Sequence, residues 1–192
     1  MSGSVLLYDL ANASLFRPLF IEQVLSQAER QEFAKDFEVR THARLADLGS
    51  QPWPSGRRLR VGSAELTDAD ASVQIGSLLV VVDCYSSPWT KDLDVGSHRA
   101  VRNRAANLIA KLEKWQDQWR DIAASHPGLL PEGVETILPV VVTSTAEWIP
   151  SEDRHLWLDP AIPALLTVTE LHAFLQSGAA GGHDHCLPVA AR

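Results

Sequence analysis

The run Leu78-Leu79-Val80-Val81-Val82-Asp83 constrains this chain more than any other feature. Five consecutive apolar residues read as a strand buried on both faces, since a strand with one wet face would alternate. Such a strand needs cover above and below, and Asp83 lies where it emerges. Gly76-Ser77, just before the run, is a two-residue hairpin signal of the Gly-X type. It joins the run to an earlier β segment, Leu66 to Ile75, in which Leu66, Val73 and Ile75 are apolar.

Fixing the turn fixes the register. Ile75 faces Leu78, and counting outward sets Asp70 opposite Asp83 and Asp68 opposite Tyr85, all on one face. Directly opposed residues have Cβ atoms about 5 Å apart, where like charges destabilise. Three arrangements relieve the clash: a solvated strand end, one protonated carboxyl, or a divalent cation between the two. Oxygen donors of this kind suit Mg²⁺ or Mn²⁺. The competing reading of Asp68 and Asp70 is the solvated face of an edge strand.

The remaining segments set the architecture. Ile21 to Leu48 is helical in composition, with Phe33, Phe37, Leu45 and Leu48 as a partial apolar stripe that Gly49 ends. Pro52 to Gly56 is a loop. The clearest element is a long helix with Ser97 as N-cap, in which Val101, Ala105, Leu108, Leu112, Trp115, Trp119 and Ile122 recur at spacings of four and three. Pro127-Gly128 closes it. Ile137 to Thr143 is a further strand, so strand–helix–strand predicts a crossover onto a parallel neighbour. His155 to Leu158 reads as a short strand, and Thr167-x-x-Glu170 as a capping box opening a last helix. The expected fold is α/β, a central mixed sheet flanked by the long helix and by the first and last helices. Residues 1–28 form an arm or helix, 29–177 the domain, and 178–192 a small, polar tail expected to be disordered.

With a formal net charge of −7, the protein does not hold nucleic acid through bulk charge and would need a local basic patch. Two patches qualify: Arg57, Arg58 and Arg60 beside the Trp53 loop, and Arg99, Arg102 and Arg104 at the start of the long helix, with His98 and Lys111. Cations at a helix N-terminus oppose its dipole, which is reasonable if they face phosphates or if Asp92 and Asp94 balance them. Cys84 and Cys186 supply neither a disulfide framework nor a zinc spacing. His183, Asp184, His185 and Cys186 resemble metal ligands by type, but no second half of a zinc site accompanies them. No apolar run reaches the roughly 20 residues that span a bilayer, and Met1 to Ser4 lacks a secretory start, so a cytoplasmic address is expected. Nucleophile-elbow, P-loop and dinucleotide motifs are absent.

The order of acids and elements resembles the PD-(D/E)XK (restriction-endonuclease-like) nuclease family. Asp70, within Glu65 to Val73, matches that family's metal-binding Asp. In Val80-Val81-Val82-Asp83-Cys84-Tyr85, Asp83 matches its second acidic position, with Cys84 and Tyr85 in the two positions after it. Glu38, in Asp36-Phe37-Glu38-Val39, matches the acid of its first helix. The resemblance spans roughly Glu29 to Leu175 and implies Mg²⁺ or Mn²⁺ on Asp70 and Asp83, with Glu38 assisting. One position departs: the family's lysine, two residues after the second acid, is Tyr85 here. A phenol with a pKa of about 10 carries no positive charge at neutral pH, and losing a charge at a developing anion costs roughly 10²- to 10³-fold in rate. Lys91, or Arg99 or Arg102, would have to substitute. Two functions therefore stand open: a metal-dependent nuclease, or a non-catalytic relative that binds nucleic acid or a protein partner within a larger assembly; an exposed part of the Trp115/Trp119 stripe would imply a homodimer.

Overall fold

A computed structural model describes residues 27–86, 97–145, 147, 158, 164–178 and 185–191. Lys91, Asp92, Asp94, His183 and Asp184 lie outside the described residues, as does all but Leu158 of the segment expected to form a strand there. The elements run α1 (Gln27–Leu45), β1 (Arg57–Val61), β2 (Ala64–Ala69), β3 (Ala71–Ile75), β4 (Leu78–Tyr85), α2 (His98–Ser125), a 3₁₀ turn (Pro127–Leu129), β5 (Thr136–Thr143), β6 (Leu165–Thr167), α3 (Val168–Gln176) and β7 (Leu187–Pro188). This is a mixed α/β architecture.

The main sheet has the order β3-β4-β5-β6, with β7 also pairing β5. β3 is antiparallel to β4, and β4, β5 and β6 are mutually parallel. The crossover from β4 to β5 is α2, as the sequence predicts. Leu78–Val82 and Leu138–Val142 are buried without alternation, so both faces of these strands are covered. α2 packs on β5, while α1 packs on β3 and β4 and touches α3. The expected stripe of α2 is its buried side, from Ala105 to Ile122, with Trp119 fully enclosed. Trp115 meets Trp119 edge-on at 5.6 Å between ring centroids, and Trp53 stacks on Trp119 at 6.1 Å. The Trp53 loop is thereby tied into the core rather than exposed. Ser97 caps α2 by accepting from the Ala100 N–H, and the Thr167/Glu170 capping box is complete. Among the described residues no helix is long and apolar enough to cross a membrane.

Two expectations are corrected. The hairpin register around Gly76-Ser77 is as read, with Ile75 opposite Leu78, but the outer strand is not continuous. It bends at Asp70, and β2 leaves to pair with β1 in a separate two-stranded ribbon. Asp68 is therefore exposed in the ribbon rather than opposite Tyr85. The missed partner is Arg57–Val61, whose charged residues hide a strand with only Leu59 buried. Its turn, Gly62-Ser63, repeats the Gly76-Ser77 dipeptide, and both glycines have φ near +60°, which L-residues rarely adopt. The tail is also not structureless throughout: Leu187 and Pro188 pair with Ile137 and Thr136, and the Val189 N–H donates to the Glu135 carbonyl. Backbone pairing with β5, together with partly buried Leu187 and Val189 against the core, fixes a segment whose composition alone predicts nothing.

Candidate acidic cleft

The bend at Asp70 opens a cleft of about 560 Å³ between β2, the end of β4 and the middle of α2. Glu38, Asp68, Asp70 and Asp83 all line it, and Lys111, Lys114, Trp115 and Gln118 form the helical wall. Each acid arrives by a different route. Asp83 ends the buried run of β4, and Asp70 sits where β2 departs, its N–H still donating to the Val82 carbonyl at 3.0 Å. Glu38 projects from α1, on the turn between half-buried Phe37 and buried Thr41. Three sequence-predicted acids thus meet, although neither the cross-strand count nor composition predicts the cleft.

Asp70 is the most perturbed group. Burial comes first among the causes that push its carboxyl from 3.8 to about 7, and repulsion from Asp83, Glu38 and Asp68 adds to it. A hydrogen bond from the Cys84 N–H to Oδ2, 2.8 Å long, pulls the other way. Glu38 is also raised, by burial and then by Asp68 and Asp83, with Lys35 opposing. The same burial, followed by Asp70, raises the Cys84 thiol and keeps it protonated. Like charges gathered in a cleft, with carboxyls raised by burial and by one another, make it a candidate functional site.

The positive charge comes from α2. Lys111 Nζ lies 2.6 Å from Asp83 Oδ2 and 5.5 Å from the centre of the Tyr85 ring. A cation is therefore held over the side chain that occupies the strand position two residues after Asp83. Lys111 was legible only as one charge of a basic helix.

The other cationic candidates fall elsewhere. Arg99 and Arg102 are exposed and do not line the cleft. Arg104 turns inward to Glu147, with Nε 2.7 Å from Oε2, in a pair whose side chains are 11% and 5% exposed. Arg57 and Arg58 lie on β1, the ribbon strand that does not line the cleft, and Arg58 faces Asp68 and Glu65 across the ribbon.

Carboxylate oxygens are hard donors, the kind Mg²⁺ and Mn²⁺ take. Asp70 Oδ2 and Asp83 Oδ2 have protein partners, and both carboxylates line the same cleft beside Glu38 and Asp68. Among the described residues no three His, Cys, Asp or Glu side chains converge into a ready-made cage. Mg²⁺ does not need one, because it keeps several waters and takes one or two carboxylates with substrate phosphates. No protein-family model, curated protein or solved structure matches the chain.

Proposed function

We propose that the acidic cleft is a metal-dependent phosphodiesterase site in a restriction-endonuclease-like domain. The order helix, antiparallel hairpin, crossover helix and parallel strand supports that fold reading. One observation carries the function: Lys111 brings a cation from α2 to Asp83 and the Tyr85 ring, supplying from a helix what Tyr85 cannot supply from the strand. Asp70 and Asp83 would hold Mg²⁺ or Mn²⁺, with Glu38 beside them. When bound, the ion would polarise the phosphoryl oxygens and lower the pKa of its water. In the reaction the water oxygen would bond to phosphorus and give up its proton to solvent, the ester P–O bond would break, and the leaving oxygen would take up a proton from solvent. Lys111 would stabilise the extra negative charge on the pentacovalent state, and Asp70 and Glu38 would orient the attacking water.

A second reading draws on the same contacts. Lys111 neutralises Asp83, and the Cys84 N–H satisfies Asp70, so the cluster also suits a non-catalytic relative with internally paired acids. Cleavage of labelled duplex DNA, single-stranded DNA and RNA with Mg²⁺ or Mn²⁺ separates the two. Under the catalytic reading Asp70→Asn and Asp83→Asn abolish cutting, and Lys111→Ala lowers it roughly 10²- to 10³-fold. Adding Tyr85→Lys to Lys111→Ala restores part of that loss. Cutting absent from the wild type with every substrate and metal leaves the non-catalytic reading.

A further inference from the structure

The β1–β2 ribbon is a ridge with opposite chemistry on its two sides. Its β2 edge, Glu65 to Asp68, lines the acidic cleft. Its β1 edge lines a second groove of about 550 Å³, walled by Arg57, Arg58 and Arg60 with Pro54 and Leu129, and no acid lines it among the described residues. Leu59, 2% exposed, pins the strand to the core, while the arginines on either side of it remain exposed. Glu65 answers Arg60 at 2.9 Å and Arg58 at 3.6 Å. Asp68 lies directly across from Arg58, so two carboxylates stand against three guanidinium groups, and one positive charge is left over. On a chain of net charge −7, that is a local exception. The groove is also tied to the cleft: the Ser55 hydroxyl and the Gly56 N–H both donate to the Asp70 carbonyl, at 2.9 and 3.2 Å. Adjacent strands lie about 4.8 Å apart, so a polyanion bearing a charge every few ångströms reaches both sides of the ridge.

We infer that Arg57, Arg58 and Arg60 hold backbone phosphates of the nucleic-acid strand whose phosphodiester enters the acidic cleft. The inference rests on the proposed function for the identity of the polyanion. The three arginines are positioning residues: they fix the strand and take no part in breaking the bond. Arg99 and Arg102, at the far end of α2, have no such role.

The test is binding of labelled single-stranded and duplex oligonucleotides by fluorescence anisotropy across a salt series, with a chelator present so that cleavage cannot intervene. For the single strand, Arg57→Ala/Arg58→Ala/Arg60→Ala should make the slope of log K against log salt shallower by about 2, from three contacts at about 0.7 each. It should also weaken binding at low salt at least about ten-fold. The triple lysine variant should keep the slope, and Arg99→Ala/Arg102→Ala should change nothing. If the triple alanine variant does not fold, Arg57→Ala alone should lower the slope by about 0.7. An unchanged slope in the arginine variants overturns the inference, as does a wild type that binds neither oligonucleotide at low salt. The two ideas fail separately. Binding with the expected slope change but no cleavage would sink the phosphodiesterase and leave the groove standing, whereas cleavage with an unchanged slope would do the reverse.

Discussion

Asp70→Asn should stabilise the protein while removing the group on which the proposed chemistry depends. The Asp70 carboxyl is raised from 3.8 to about 7, first by burial and then by three neighbouring acids. Below about pH 4 the folded and unfolded chains both hold the proton, and Asp70 costs nothing. Between about 4 and 7 the unfolded chain releases it while the folded chain keeps it, so stability falls as pH rises; above 7 the cost is constant. A gap of roughly three pKa units at about 1.4 kcal/mol each sets the full cost at about 4 kcal/mol. Asparagine is nearly isosteric, and its carbonyl can still accept from the Cys84 N–H. Urea unfolding in a chelator at pH 4, 6 and 8 should therefore show the variant equal to wild type at pH 4 and more stable by about 2–4 kcal/mol at pH 8. Adding Mg²⁺ at pH 8 should recover much of that difference in the wild type, because a ligand of the folded state stabilises it by mass action. A variant that is no more stable at pH 8, or equally favoured at pH 4, would refute the account of Asp70 as a buried, repelled carboxyl.

Two further substitutions probe the frame of the sheet and of α2. A Cβ on Gly49 would lie 2.2 Å from the Gln74 carbonyl oxygen, where Ser50 bridges to β3; Gly49→Ala should cost at least about 2 kcal/mol in urea unfolding, as overpacking against backbone does. Arg104→Ala removes the guanidinium partner of the buried Glu147 carboxylate and leaves the Thr145 hydroxyl on it at 3.2 Å, which should cost about 3 kcal/mol; Glu147→Gln in the same chain should return part of it, measured by the same unfolding curves.

The parts of this fold that were legible in the sequence are those where one local rule acts without competition. Leu78–Val82 has no polar residue to mislead, and Gly76-Ser77 leaves one short turn to choose. The stripe of α2 holds its spacing from Ala105 to Ile122, so its buried face could be read directly. The ribbon was hidden because Arg57–Val61 buries only Leu59, and a strand in a two-stranded ribbon needs no apolar face. With β1 unseen, Leu66 to Ala69 reads as a continuation of β3. That one omission moved Asp68 to the wrong partner, yet it left Asp70 beside β4, because the Asp70 N–H still bonds to Val82. The order of the tail escapes the sequence for a related reason. Its order comes from backbone bonds to β5, and backbone bonds leave no trace in composition.

Lys111 is the deeper case. Any rule tied to spacing along the chain looks for a cation within a few residues of Asp83, which is why Tyr85 reads as a vacancy and Lys91 as its nearest remedy. The geometry follows another logic. α2 must lie along the sheet because Leu108, Leu112, Trp115 and Trp119 have to be buried, and that requirement fixes the rotation of every other residue on the helix. Lys111 stands next to Leu112 and one turn before Trp115, at the edge of the buried stripe, and the helix crosses the sheet at the height of Asp83. Its Nζ reaches the carboxylate while its stem lies along the wall of the cleft. Packing of the apolar face therefore aims the charge at Asp83; under the proposed phosphodiesterase reading, that is how the helix would supply a lysine the strand lacks. Tyr85, with its ring under that ammonium at 5.5 Å, then has a role of its own, because an aromatic face attracts a cation and a lysine at the same position would repel it.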